Sequence, residues 1–248
     1  MQKNPVLFYR EGTCALGSII ALLWLDQPFQ LCRLESDKDV TGGDFEKLNA
    51  LDLVPTLFID GVVISENIAV LPYLGLKAID RGLYFEPGTA QFDQLNRAIG
   101  FLASDLHKSF GAVLAPKMFH PDPAVQKEIK ENFRQGQLKT MIQHANDHLL
   151  RTTFFYDRPT VGDAYLFAIS QWMEKLYDVK REFPHVFRFR EAMLKDNSVI
   201  KALAIDSGKL IDADGSAFLG HVDPRAFTHQ AVARKAEVDR ATGFGAAA

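Results

Sequence analysis

Residues 53–67 decide the predicted fold, and they are Leu53-Val54-Pro55-Thr56-Leu57-Phe58-Ile59-Asp60-Gly61-Val62-Val63-Ile64-Ser65-Glu66-Asn67. The apolar residues on either side of Asp60-Gly61 predict two strands, Thr56–Ile59 and residues 62–64, because an Asp-Gly pair favours the tight turn of a hairpin. The apolar residues that follow predict a helix from Glu66 to about Ala78. This stretch is therefore a strand, strand, helix unit.

The chain before this stretch has the order strand, helix, strand. Val6–Tyr9 predicts a first strand, Ala15–Leu25 a helix, and residues 29–34 a second strand. A strand–helix–strand unit followed by a hairpin and a helix predicts a mixed sheet with helices packed against it. We therefore predict an α/β domain over residues 1–80, followed by a polar linker over residues 81–90.

The chain after the linker is helical. One buried stripe is indicated by apolar residues three and four apart, namely Phe92, Leu95, Ile99, Leu102 and Leu106. Thr160 caps a later, almost wholly apolar helix, with Asp163 bonding back to it. We predict an all-helical domain over residues 91–210. Residues 211–248 are poor in large apolar side chains and are expected to form a tail, partly ordered at most, with one polar surface helix over residues 227–240.

Composition excludes several classes of protein. The net charge of −3 gives no electrostatic reason to expect nucleic acid or an anionic membrane as a partner. No apolar run approaches the ~20 residues that a membrane span needs. The chain has two cysteines, which form neither a disulfide framework nor a metal-type spacing, so a reducing cytoplasm fits best. His144 and His148 lie four apart without a third ligand and are expected to be a surface pair, so no metal is predicted.

Cys14 is the candidate reactive residue. It lies where the strand Val6–Tyr9 gives way to the helix Ala15–Leu25. A helix N-terminus favours a thiolate and lowers the pKa of a cysteine from its ordinary value of ~8.5. The alternative is a small apolar residue packed under the helix. Cys32 lies in an alternating strand and is expected to be a core residue.

Four motifs in order along the chain resemble those of the cytosolic glutathione transferases, and of their bacterial beta class in particular. They are Val54-Pro55 before a strand with Glu66-Asn67 at the start of the next helix, Tyr9 with Gly12-Thr13-Cys14, the segment from Ser104 to Lys108, and the capped segment from Thr160 to Phe167. The resemblance covers about residues 5–210. It implies a thioredoxin-like α/β N-terminal domain and an all-α C-terminal domain, with a cis peptide bond between Val54 and Pro55.

The resemblance implies a detoxifying enzyme that conjugates glutathione to small hydrophobic electrophiles or reduces peroxides, acting as a homodimer. Cys14 and His107 are implied as catalytic residues. Residues implied in glutathione binding are Tyr9, Lys38, Val54, Pro55, Glu66, Asn67, Ser104, Asp105 and Lys108. In this assignment Cys14 faces the glutathione sulfur, as a hydrogen-bond donor or in a mixed disulfide, and His107 and Lys108 project toward the same sulfur.

The resemblance also implies which part of glutathione each of the remaining residues binds. The Val54 backbone pairs with the cysteinyl part, Glu66 and Asn67 hold the γ-glutamyl group, and Lys38 meets the glycine carboxylate. Asp105 is expected to act across the dimer interface.

The chain departs from the family pattern around the cleft. Asn67 stands where Ser, Thr or Gly is usual, and Gly100 stands where the beta class often has an asparagine. Three functions therefore stay open: a glutathione transferase, a thiol oxidoreductase in which Cys14 attacks a glutathione mixed disulfide, and a regulatory or binding protein without turnover.

Overall fold

The computed structural model describes residues 4–34 and 45–243. Its strands are β1 (Val6–Tyr9), β2 (Phe29–Arg33), β3 (Thr56–Ile59), β4 (Val62–Ser65) and β5 (Phe218–His221). They form one five-stranded sheet in the order β4-β3-β1-β2-β5. The strands β1 and β2 pair in parallel, as do β2 and β5, whereas β3 is antiparallel to both β1 and β4. The predicted mixed sheet is therefore present, with one strand more than expected.

The α-helices are α1 (Ala15–Leu25), α2 (Phe45–Leu48), α3 (Asn67–Leu76), α4 (Ala90–Phe101), α5 (Lys108–Leu114), α6 (Pro123–Phe133), α7 (Lys139–His148), α8 (Val161–Met173), α9 (Val179–Glu182), α10 (Pro184–Met193), α11 (Asn197–Asp206) and α12 (Pro224–Thr242). Two π-helical segments, Leu102–His107 and Arg134–Leu138, continue α4 into α5 and α6 into α7. A short 3₁₀ turn covers Pro116–Met118. Among the described helices, none is long and apolar enough to cross a membrane.

The chain divides into two compact units. The described residues up to 77 and those from 197 onward form the first unit, and Ala78–Asp196 forms the second. This division differs from the predicted one, which placed residues 197–210 in the helical domain and left residues 211–248 as a tail. The last helices and β5 belong with the sheet because β5 pairs along the edge of β2 and α11 packs against α1.

Both faces of β1 are buried, and two sets of helices cover them. Helices α1 and α3 pack together on one face. On the other face Val6 and Phe8 pack in a cluster with Phe45 of α2 and Ala231 of α12. The ring of Phe227 lies 5.8 Å from that of Phe8 and 5.7 Å from that of Phe58, measured between centroids. The expected surface helix is therefore part of the core of this unit.

Local sequence signals explain why α12 begins where it does. The Asp223 side chain accepts a hydrogen bond from the Ala226 amide at 2.7 Å, and Pro224 occupies the first turn. An acidic N-cap followed by proline is a strong start signal for a helix. The signal was available in the sequence, but the low apolar content of the segment concealed its buried face.

The predicted capped helix of the second unit is confirmed. Thr160 and Asp163 form a capping box at the start of α8. The fully buried Asp163 carboxylate also accepts the Phe155 amide at 2.9 Å. In the stripe of α4 and the following π-helical segment, four predicted residues are buried, namely Leu95, Ile99, Leu102 and Leu106.

Removing the Phe227 ring should destabilise the first unit. We expect Phe227→Ala to lower the free energy of unfolding by about 2–3 kcal/mol, because the side chain packs on Phe8 and Phe58. Chemical denaturation measures the change. Gln230→Ala, on the exposed side of the same helix, is the control and should stay within about 0.5 kcal/mol of wild type. Equal effects from the two substitutions would show that α12 contributes nothing to the core.

Candidate active site

Cys14 lies at the start of α1, as predicted, and is buried with 6% of its surface exposed. Its Sγ donates a hydrogen bond of 3.6 Å to the carbonyl oxygen of Val54. The Val54–Pro55 peptide bond is cis, as the resemblance implies, and Pro55 leads into β3. The thiol and the cis-proline turn are therefore in direct contact.

Several hydrogen bonds shape the loop that carries the thiol. We call residues 10–14 the cysteine loop. The Thr13 hydroxyl donates to the Arg10 carbonyl at 2.7 Å, and the Arg10 guanidinium forms an ion pair of 3.3 Å with Asp52. Gly12 has a φ of +68°, a left-handed conformation that glycine adopts without strain. The loop is thus fixed at its start, where it meets the segment before the cis-proline.

The pKa of Cys14 is raised, whereas the sequence predicted that the start of a helix would lower it. Burial raises the pKa of the thiol to about 12, and the negative charge of Glu66 acts in the same direction. The favourable helix terminus is outweighed because a thiolate at this position loses nearly all of its hydration. The free protein therefore holds Cys14 as a protonated thiol at neutral pH.

Glu66 and Asn67 begin α3 beside this thiol, with different exposures. Glu66 is exposed and takes a strained backbone conformation, φ 70° and ψ 134°. Asn67 is buried, and its side-chain amide donates to the Cys14 carbonyl at 3.1 Å while accepting the Ser18 hydroxyl at 2.9 Å. The resemblance implies that Asn67 holds the γ-glutamyl group, and this role stays a prediction. In the structure the Asn67 side chain ties α3 to α1.

Tyr9, predicted to bind glutathione, is fully buried. Its hydroxyl lies 2.9 Å from Nε2 of His221 and 3.3 Å from the Ile205 carbonyl. Since the Ile211 carbonyl, 2.8 Å from Nδ1 of His221, can only accept, Nδ1 carries the hydrogen and Nε2 accepts from Tyr9. Burial raises the pKa of Tyr9 to about 12. Tyr9 therefore anchors the C-terminal segment, which the sequence analysis expected to be a tail, and its role in glutathione binding stays a prediction.

The predicted site residues of the second unit lie together on one helical stretch. Ser104, Asp105 and His107 belong to the π-helical segment Leu102–His107, and the exposed Lys108 begins α5. The Ser104 hydroxyl lies 2.8 Å from both the Gly100 carbonyl and the Asp105 carboxylate. π-Helical turns occur frequently at functional sites.

His107 is held by aromatic neighbours. Its Nδ1 lies 2.9 Å from the Tyr165 hydroxyl, and the centroid of its ring is 5.1 Å from that of Trp172. Burial lowers the pKa of His107, so the imidazole is neutral at pH 7. The sequence did not single out Tyr165, because a tyrosine in an apolar helix gives no sign of a polar partner.

Other predictions fall outside these two groups. Lys38 lies outside the described residues. Among the described residues, no group of three or more His, Cys, Asp or Glu side chains could hold a metal ion. A cavity of about 590 Å³ in the second unit is lined by Arg97, Phe101, His144 and Tyr156, among others. The structure therefore gathers Cys14, Val54, Pro55 and Glu66 in one unit and Ser104 to Lys108 in the other.

The buried thiol should react slowly with alkylating reagents. Because only the thiolate reacts, we expect iodoacetamide to modify Cys14 at pH 7.5 at least about a hundredfold more slowly in the native protein than in denaturant. The rate should keep rising through pH 9 without levelling off, since burial raises the pKa to about 12. Mass spectrometry follows the modification, with the buried Cys32 as internal reference. A plateau reached by pH 8 would contradict the raised pKa.

Two curated relatives match most of the chain. A glutathione S-transferase of Xanthomonas campestris is 28% identical over 198 residues, which are 79% of this chain and 96% of the relative. A second, from Escherichia coli O157:H7, is 28% identical over 207 residues, 82% of this chain and 99% of the relative. No protein-family model matches the chain.

Solved structures share the fold. A glutathione S-transferase from Xylella fastidiosa is 27% identical, with a TM-score of 0.75, and covers 82% of this chain and 99% of its own. A beta-class enzyme of Sphingomonas chungbukensis (24% identical, TM-score 0.71) covers 81% and 98%. A sphingomonad glutathione S-transferase complexed with glutathione (22% identical, TM-score 0.72) covers 82% and 98%.

The predicted fold class, a thioredoxin-like domain with a helical one, is confirmed by these neighbours. The two relatives described above are bacterial glutathione S-transferases, as the motifs predicted. In sequence and in fold, the chain is similar to bacterial glutathione S-transferases, and its fold is shared by a beta-class enzyme.

Proposed function

We propose that this protein transfers the thiolate of glutathione to small hydrophobic electrophiles. The chain is a transferase enzyme, as the curated relatives indicate. The observation that carries the proposal is the contact between the Cys14 thiol and the Val54 carbonyl at the cis-proline, next to Glu66 at the start of α3. This places a thiol donor, a backbone pairing site and a carboxylate in one unit.

Glutathione fits these groups by its chemistry. The backbone of Val54 offers its polar groups to a peptide-like ligand, as the edge of a sheet does to an added strand. The exposed Glu66 carboxylate suits the ammonium of the γ-glutamyl group, and the N-terminus of α3 suits its carboxylate. A sphingomonad enzyme with the same fold binds glutathione, which supports glutathione as the cofactor here.

Cys14 serves this reaction as a hydrogen-bond donor. A thiol with its pKa raised to about 12 stays protonated, so its S–H can stabilise the glutathione thiolate. In the reaction the thiolate sulfur forms a bond to the electrophilic carbon, and the electron pair leaves with the displaced group or moves into the unsaturated system. A thiol oxidoreductase would need Cys14 as a thiolate nucleophile, which the burial disfavours.

The second unit supplies groups suited to the electrophile. Trp172 lies between His107 and Phe110, with ring centroids 5.1 Å and 5.3 Å away. This apolar surface suits a small hydrophobic compound, and Ser104, Asp105 and Lys108 provide polar groups on the same helical stretch. The neutral imidazole of His107 adds a hydrogen-bonding group to this surface.

Glutathione binding and turnover test the proposal. We expect calorimetry to show binding of glutathione to wild type and to Cys14→Ser. Cys14→Ala should lower kcat/KM with an activated aryl halide by about tenfold, because one hydrogen bond to the thiolate is lost, and should abolish any exchange with a mixed disulfide. Cys32→Ala, which alters a buried cysteine on β2, is the control and should keep the conjugating activity of wild type.

Two outcomes would count against this assignment. Equal loss of conjugation and exchange in Cys14→Ala would make Cys14 a nucleophile. No binding at millimolar glutathione would favour a protein that kept the fold and lost the cofactor.

We also propose a symmetric homodimer. The first unit exposes large apolar side chains close to the cis-proline and on α3, namely Leu51 (68% exposed), Leu53 (50%) and Ile68 (50%). Such residues suit a surface that is covered by a partner. Sedimentation at micromolar concentration should give twice the chain mass of 27.7 kDa. A monomer mass would overturn the homodimer.

A further inference from the structure

Asp206 connects the C-terminal part of the chain to the cysteine loop. It is the last residue of α11, and it is buried with 8% of its surface exposed. Its Oδ2 accepts a hydrogen bond of 3.0 Å from the Gly12 amide, two residues before Cys14. The two residues are 194 positions apart in the chain. No sequence motif pointed to this contact.

Three features of the surroundings of Asp206 lower the stability of the folded protein. Its Oδ1 is buried and has no hydrogen-bond partner. A carboxylate at the C-terminal end of a helix is opposed by the helix dipole. Burial raises the pKa of Asp206 to about 6, and the nearby Glu11 acts in the same direction. Stability alone therefore does not favour an aspartate at this position.

The contact with Gly12 has a consequence for the site. Gly12 takes a left-handed conformation, and a Cβ built there would meet nothing within 4 Å, so no neighbour packs against that side of the residue. The hydrogen bond from the Gly12 amide to Asp206 contributes to the orientation of this peptide unit. Arg10 and Thr13 fix the loop on either side of Gly12. The position of Cys14 against Val54 depends on the conformation of this loop.

We propose that Asp206 is a positioning residue, which holds the cysteine loop through the Gly12 amide so that the Cys14 thiol stays packed against Val54. The expected effect of Asp206 on catalysis rests on the proposed function. The expected effect of Asp206 on the position of the Cys14 thiol is independent of that function. A buried carboxylate with one oxygen left without a hydrogen-bond partner is the kind of local cost that functional sites retain.

Alkylation of the two cysteines tests the proposal without any assumption about activity. We expect Asp206→Ala to raise the rate of Cys14 modification by iodoacetamide about tenfold, because the loop loses a charge-assisted hydrogen bond. The rate at Cys32 should not change. Asp206→Asn keeps an acceptor for the Gly12 amide and should stay within about threefold of wild type. Asp212→Ala, an exposed acidic control from the same segment, should behave like wild type.

Two results would overturn the positioning role. One is an unchanged Cys14 rate in Asp206→Ala, and the other is a parallel rise at Cys32, which would indicate general loosening of the fold. If Asp206→Ala does not fold, hydrogen exchange in wild type decides. The Gly12 amide should be protected, and exchange at the rate of an exposed loop would refute the contact.

Glutathione binding by the same variants separates this proposal from the proposed function. In Asp206→Ala we expect the affinity for glutathione to fall about tenfold, with a thermal midpoint equal to or above that of wild type. If wild type binds no glutathione, the proposed function fails while the alkylation result still decides the role of Asp206. Binding that is unchanged in Asp206→Ala would limit that role to the thiol.

Discussion

The structure depends on the burial of strand β1 on both faces. Its four residues are exposed by at most 2%, so each face needs a layer of helices. Helices α1 and α3 provide one layer. Because α2 has only four residues, α12 from the C-terminal segment completes the other layer with Ala231 and the ring of Phe227. The end of the chain is thereby built into the domain that carries Cys14.

The C-terminal segments also contact residues at the end of β1 and in the cysteine loop. Tyr9, the last residue of the strand, is hydrogen-bonded to His221, the last residue of β5, and Asp206 accepts a hydrogen bond from the Gly12 amide. The cysteine loop is therefore supported by segments that follow the helical unit in sequence. The same burial keeps the Cys14 thiol protonated, because a thiolate there would lose nearly all of its hydration.

The two units contribute different chemistry. The first holds the thiol, the cis-proline turn and the start of α3, which suit a peptide-like thiol compound. The second holds His107 among aromatic rings on a π-helical stretch, which suits an apolar electrophile. The Asn67 side chain has a structural task, because it joins α3 to α1. The departure from the family's usual residue at this position therefore has a structural explanation.

The sequence by itself determined the elements with strong local signals: the hairpin at Asp60-Gly61, the capping box of α8 and the location of Cys14 at the start of α1. It also indicated the similarity to glutathione transferases, through four motifs in order. Only the tertiary structure decided the raised pKa of Cys14, the burial of Tyr9, the use of the Asn67 side chain and the contact of Asp206 with Gly12. The reason is that each depends on solvent exclusion or on a partner distant in sequence, which local patterns do not encode.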